Sequence, residues 1–185
     1  MTRAGLLLLA STVASVLAGC AAAASSHPGG AVRDRSALQS YLREIEPPRL
    51  AVNRLLSQAD PILRAYRDGR ATPAQAAARM DRLERRFAAY AVDVAAVQAG
   101  VPELQRLQSA YAHTYVLEDA YLSALVAGLA ERDLDNLPNT QASQRAAIIG
   151  WRTGLTVLAH DWGVRLPADL QQAGRGEIAP SPGGS

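Results

Sequence analysis

Lysine is absent from this 185-residue chain: all 19 strong bases are arginine, set against 17 acids, for a formal charge of +2. So small a surplus argues against a protein that coats nucleic acid, which needs a dense basic face to displace counterions. Aromatic and β-branched side chains are also scarce. There is one Phe and there are five Ile, against 37 Ala. Half-buried strands are built from the scarce types, and alanine is the best helix former, so a β-sandwich is disfavoured and an all-α fold expected. A single cysteine excludes an intramolecular disulfide. No Gly-rich phosphate loop, no G-x-S-x-G and no H-E-x-x-H occurs. No Glu is followed three residues later by His, the spacing of a carboxylate-bridged di-iron bundle.

What is present begins at the N-terminus. Arg3 is followed by an apolar stretch from Leu6 through Val13, Val16 and Leu17. It is short for a membrane span, which needs about 20 apolar residues, and has the proportions of a secretory signal peptide. It ends Leu17-Ala18-Gly19-Cys20. That tetrad resembles the lipobox of bacterial lipoproteins: a Leu, two small residues, then Cys. The resemblance covers about the first 20 residues. It implies cleavage before Cys20, diacylation of its sulfur, and retention on a membrane through lipid, with residues 1–19 as the signal. The location implied is the outer face of the cell membrane, or the periplasmic side or outer membrane of a two-membrane cell. Two acyl chains anchor stably where one would be marginal. A plain secretory signal with a chance Cys is the other reading. An unpaired thiol in an exported chain favours the lipobox.

Residues 20–32 are small, polar or helix-breaking and are expected to form a flexible tether. Residues 174–185 are rich in Gly, Pro and Ser and are expected to be disordered. Between them, 33–173 read as one helical domain. Asp68-Gly69-Arg70-Ala71-Thr72-Pro73 is the first break, with Thr72 as N-cap, Pro73 at N1 and Gln75 closing a capping box. Gly100-Val101-Pro102-Glu103 is the second. Asn136-Leu137-Pro138-Asn139-Thr140 is the third. The four helices between these breaks each carry an apolar stripe at helical spacing. The first keeps its phase across Pro47, Pro48 and Pro61, as one kinked helix or two collinear pieces. Short connections predict an antiparallel up-down four-helix bundle. Past the fourth helix, Leu166 and Leu170 are expected to anchor a short helical turn. Gly150 and Gly154 are expected to let a neighbouring segment approach closely.

Charge is unevenly distributed, with nine Arg and four acids from Arg49 to Arg86 but two Arg and six acids from Glu103 to Asp135. This describes either two complementary neighbouring faces or a dipolar surface that orients a partner. His27 falls in the tether, His113 opposite the third helix's stripe and His160 on the fourth helix's flank beside Asp161, so no metal or haem ligand pair is expected. Met80 is the one Met outside the signal, which leaves no methionine-rich copper site.

Two charges fall on apolar stripes. Glu118 projects between Tyr111, Tyr115, Leu122 and Leu125, and Arg152 between Ile148, Leu155 and Ala159. An unpaired buried charge costs several kcal/mol, so a Glu118–Arg152 ion pair completed by tyrosine hydroxyls is expected. The alternative is a small-ligand pocket between the third and fourth helices lined by Glu118, Arg152, Tyr111 and Tyr115. The resulting reading is a membrane-anchored cell-envelope lipoprotein with a non-catalytic helical module that binds a protein partner. It carries no cofactor, no metal and no nucleic acid, and a small molecule is the alternative ligand.

Overall fold

The structure, a computed structural model, describes residues 28–171 and 177–182. Cys20 and the signal residues lie outside them. The described chain is all-helical and packed, with α1 (Pro28–Leu56), α2 (Ala59–Arg67), α3 (Pro73–Ala96), α4 (Pro102–Glu131), α5 (Gln141–Asp161) and the short α6 (Ala168–Gln171). No strand occurs among the described residues. None of their helices is long and apolar enough to cross a membrane.

The chain's own chemistry explains the breaks. Pro47 and Pro48 stay inside α1. The interruption falls instead at Ser57 and Gln58, where Gln58 N–H donates to the Leu55 carbonyl at 2.9 Å in a tightened turn. Pro61 is the cause, because it lacks the N–H that would bond the Ser57 carbonyl and its ring crowds that position. Pro61 itself sits in the first turn of α2, where a missing donor costs little. The capping box at α3 forms as the sequence predicts: Thr72 Oγ1 accepts from Gln75 N–H at 3.2 Å, and Gln75 Oε1 accepts from Thr72 N–H at 2.9 Å. Pro102 opens α4 at its first turn. Gly163, at φ 63°, lets Val164 N–H reach back to the Ala159 carbonyl at 2.8 Å and closes α5.

Helix α4 packs against α3 and α5, α3 also packs against α1 and α2, and α1 touches α5. The contacts thus run in a ring around one core of Leu38, Ile45, Leu63, Met80, Phe87, Leu104, Leu122, Leu125, Trp151 and Leu155. A Cβ added at Gly154 would lie 2.5 Å from the Leu107 side chain, so this glycine sets how closely α5 approaches α4. Gly150 has nothing within 4 Å and plays no such part. Leu166 and Leu170 are buried and hold α6 on the bundle.

Two boundaries differ from the sequence expectation. α1 starts at Pro28, inside the stretch read as tether. Pro at a helix start is pre-organised, and the Ala31-to-Arg35 run favours helix although its side chains are mostly exposed. The second difference is larger. Residues 177–182, expected to be disordered, pack on the bundle, with Ala179 only 2% exposed. The physical reason lies in the buried arginines that this segment meets.

Candidate functional site

The core is polar along one line. Stripe positions on three helices carry hydrogen-bonding groups, and each finds a partner. Trp151 on α5 donates its indole N–H to Tyr41 Oη of α1 at 2.8 Å. Tyr41 donates to Gln108 Oε1 of α4, also at 2.8 Å, and Gln108 Nε2 donates to the Val94 carbonyl near the end of α3 at 2.6 Å. Four elements are thereby tied through one buried chain of hydrogen bonds. Beside it runs an aromatic ladder. Trp151 stacks on Tyr111 with ring centroids 3.9 Å apart, Tyr111 meets Tyr115 edge-on at 5.3 Å, and Tyr115 stacks on Phe87 at 5.6 Å. The Tyr111 and Tyr115 hydroxyls hydrogen-bond each other at 3.0 Å.

Next to the ladder lies a charged cleft between α1, α4 and α5, and the chain's own C-terminal segment fills it. Arg49 of α1 is 1% exposed. It pairs with Asp169 of α6 and, at 3.4 Å, with Glu177. Arg152 of α5 pairs with the same Glu177 oxygen at 2.5 Å and donates to the Asp169 carbonyl at 3.3 Å. Burial works against the Arg49 charge, but the Asp169 and Glu177 carboxylates outweigh it and raise its pKa. Further along, the main chain of the segment is held. Glu118 Oε1 accepts from Ala179 N–H at 2.7 Å, Gln141 Nε2 donates to the Ala179 carbonyl at 3.0 Å, and Tyr121 donates to the Pro180 carbonyl at 3.2 Å. Arg67 of α2 donates to the Pro182 carbonyl at 3.0 Å.

The four residues singled out from sequence are all buried, but they are not joined as expected. Glu118 and Arg152 do not pair with each other. Glu118 uses Ala179 N–H and, at 2.8 Å, Gln144 Nε2, while Arg152 is neutralised by Glu177. The tyrosine hydroxyls bond each other rather than the Glu118 carboxylate. The correction has a simple cause: an acidic side chain from the C-terminal segment reaches Arg152, and main-chain and amide donors suffice for Glu118. Arg49, Gln108 and Gln144 are buried polar groups too and likewise fall on apolar stripes, at Ile45/Arg49/Val52, Leu104/Gln108/Tyr111 and Gln144/Ile148/Trp151. The phase rule that picks out Glu118 therefore picks them out too. Asp169 and Glu177 carry no periodic signal.

The remaining expectations are quickly placed. His113 and His160 are exposed, and His160 meets the neighbouring Asp161 side chain at 3.2 Å. Among the described residues no three His, Cys, Asp or Glu side chains cluster as metal ligands. The basic stretch runs through the end of α1, α2 and the first half of α3, and the acidic stretch runs through α4, which packs on α3. Their exposed ion pairs are local, as in Arg85–Asp81 and Arg106–Glu103, and contribute little each, while Arg49 reaches Asp169 and Glu177. Two surface depressions of about 540 and 530 Å³ flank the Asn139–Gln141 turn, and neither is lined by Glu118 or Arg152.

Burial pushes the Glu118 carboxyl up to about 7, against the opposing pull of the Ala179 N–H and Gln144 hydrogen bonds. The folded state therefore keeps a proton that the unfolded chain releases above its usual carboxylate range. This stabilisation is complete below the unfolded pKa, declines as pH rises, and is gone above about pH 7. A shift of this size amounts to about 3 kcal/mol. Glu118→Gln is expected to gain stability relative to the wild type between pH 5 and 8, measured by urea unfolding at each pH. A stability difference that is flat with pH would contradict a buried, protonatable Glu118.

The chain matches no protein-family model, no curated protein and no solved structure.

Proposed function

We propose that this chain is an exported, lipid-anchored protein of the cell envelope whose helical domain binds a protein partner without catalysis. In this reading the domain is an antiparallel up-down four-helix bundle, with α1 and α2 together as its first helix. Short connections and the ring of helix contacts support that arrangement. The lipobox-like Leu17-Ala18-Gly19-Cys20 supports diacylation at Cys20 and attachment to the outer face of the cell membrane, or to the periplasmic side in a two-membrane cell.

One observation carries the binding role. Side chains from α1, α2, α4 and α5 hold the non-helical segment 177–182 as a binding site holds a peptide, gripping its carboxylate at one end and its main chain at the other. Main-chain recognition of a non-helical segment is a way proteins bind proteins. The same observation weakens the small-ligand alternative, because the space beside Glu118 and Arg152 is taken up by the chain itself. It also supports a non-catalytic Glu118, whose two oxygens are both engaged inside the core.

Two measurements test the proposal. Cells grown with an alkyne palmitate should label the wild type, and Cys20→Ser should abolish the label and shift the protein from membrane to soluble fraction by about tenfold or more. An unlabelled wild type, or a variant that keeps its label, would sink the anchor. For the binding role, photo-crosslinkers at the exposed Val92, Val116, Ile149 and Val157 and at the rim residue Gln141 should yield at least one discrete adduct in native membranes. No adduct from any of them would overturn the role.

A further inference from the structure

We infer that the cleft between α1, α4 and α5 is a peptide-binding site, and that segment 177–182 is its intramolecular occupant. The site accepts in its place a non-helical partner segment of the form Glu-apolar-small-Pro. This inference rests on the proposed binding role and deepens it by naming the ligand's chemistry.

The first observation concerns charge. Two arginines lie almost out of reach of solvent on separate helices, with Arg49 side chain 1% and Arg152 side chain 10% exposed. The carboxylates that pair with them come from beyond the last long helix, Asp169 from α6 and Glu177 from the segment. Arg49 and Arg152 thus present positive charge to one end of the cleft, where the negative charge arrives on the C-terminal chain, while Glu118 of α4 lies at the other end on the Ala179 N–H. A cation taken out of water needs an anion. The pair of guanidiniums suits a carboxylate side chain lying between them.

The second observation concerns selectivity. Glu118, Gln141 and Tyr121 read only main-chain atoms of residues 179 and 180, so they tolerate any sequence there that lacks bulk. Bulk is limited because Ala179 is 2% exposed. Ile178 packs on the core's edge and prefers an apolar side chain. Pro180 brings no N–H that would need a partner.

The third observation is that the present occupant fits imperfectly. Glu177 Oε2 and Arg49 Nε are buried without a hydrogen-bond partner among the described residues. Oε2 leaves with Glu177 itself, so a rival gains at Arg49 Nε: a segment whose carboxylate also reached that N–H would compete with the chain's own.

The test uses the full chain and a fluorescein-labelled peptide of residues 175–182, Arg-Gly-Glu-Ile-Ala-Pro-Ser-Pro, read by fluorescence polarisation. Ala179→Trp is too large for its site and should evict the internal segment without altering the cleft. The variant is expected to bind the peptide at least tenfold more tightly than the wild type. Replacing the peptide's Glu with Gln should weaken binding at least tenfold. Equal binding by variant and wild type, or indifference to the Glu-to-Gln change, would overturn the inference. If Ala179→Trp does not fold, the wild type decides. Millimolar peptide should speed amide exchange at Ala179 at least threefold while the Gln peptide does not, and an unchanged rate would overturn it. Failure here with crosslinks kept at Val92, Val116, Ile149 or Val157 would remove the peptide site and leave the proposed binding role standing. Loss of those crosslinks as well would remove both.

Discussion

Arg49→Ala is expected to lower the stability of the domain by about 3–5 kcal/mol, the cost of breaking a buried ion pair from one side. In a domain of this size that is a fall in Tm on the order of 10 °C. Arg49 is nearly inaccessible and pairs with both Asp169 and Glu177, so its removal strips a counter-charge from two carboxylates at once. Glu177 keeps Arg152, but through the same oxygen, and its second oxygen has no other donor to turn to among the described residues. The loss should therefore loosen the C-terminal segment as well as the helix junction. Glu177→Leu strips Arg152 of its anion as well, so Arg49→Met combined with Glu177→Leu should lose clearly less than the sum of the two single variants without regaining the wild-type stability. Guanidinium unfolding of the two single variants and the double variant measures this. Additive losses would mean that Arg49 and Glu177 do not act on each other.

Trp151→Ala is expected to cost about 3–5 kcal/mol, the usual range for deleting a large buried aromatic side chain. Trp151 is 1% exposed and joins both lines of the core. Its ring stacks on Tyr111 and its N–H binds Tyr41, so the deletion removes a stack, a hydrogen bond and one of the largest fully buried side chains. Trp151→Phe keeps much of the volume and loses the N–H, and should cost about 1–2 kcal/mol. Thermal unfolding followed by circular dichroism separates these cases. Equal losses for Ala and Phe would place the whole contribution in the hydrogen bond rather than in packing.

The helices were legible because their signals are local. Thr72, Pro73 and Gln75 carry their capping geometry in their spacing, and Pro102 marks the start of α4 without reference to anything distant. Phase along a stripe likewise identifies buried polar positions, and it identifies Glu118 and Arg152 correctly as buried. It does not identify partners, since a stripe gives the direction in which a side chain points and not what arrives from elsewhere. Glu177 arrives from a segment whose Gly, Pro and Ser content carries no period, so its place between Arg49 and Arg152 could be read only from tertiary structure. The arginines held part of the clue: Arg49 falls on the buried Ile45–Val52 stripe, yet it pairs with Asp169 and Glu177 and not with Glu46, three residues before it. A buried cation needs an anion, and Glu177 supplying it to both Arg49 and Arg152 is the physical reason the segment packs.

Arg49, Arg152 and Glu118 together hold the C-terminal segment in the cleft. Amide hydrogen exchange at Ala179 tests this most directly, because that N–H donates to Glu118 and is otherwise remote from regular secondary structure. The account predicts exchange about 100-fold or more slower than in a free peptide, with the protection lost in Arg49→Ala and in Glu118→Ala. Exchange of Ala179 at the free-peptide rate in the folded wild type would contradict it.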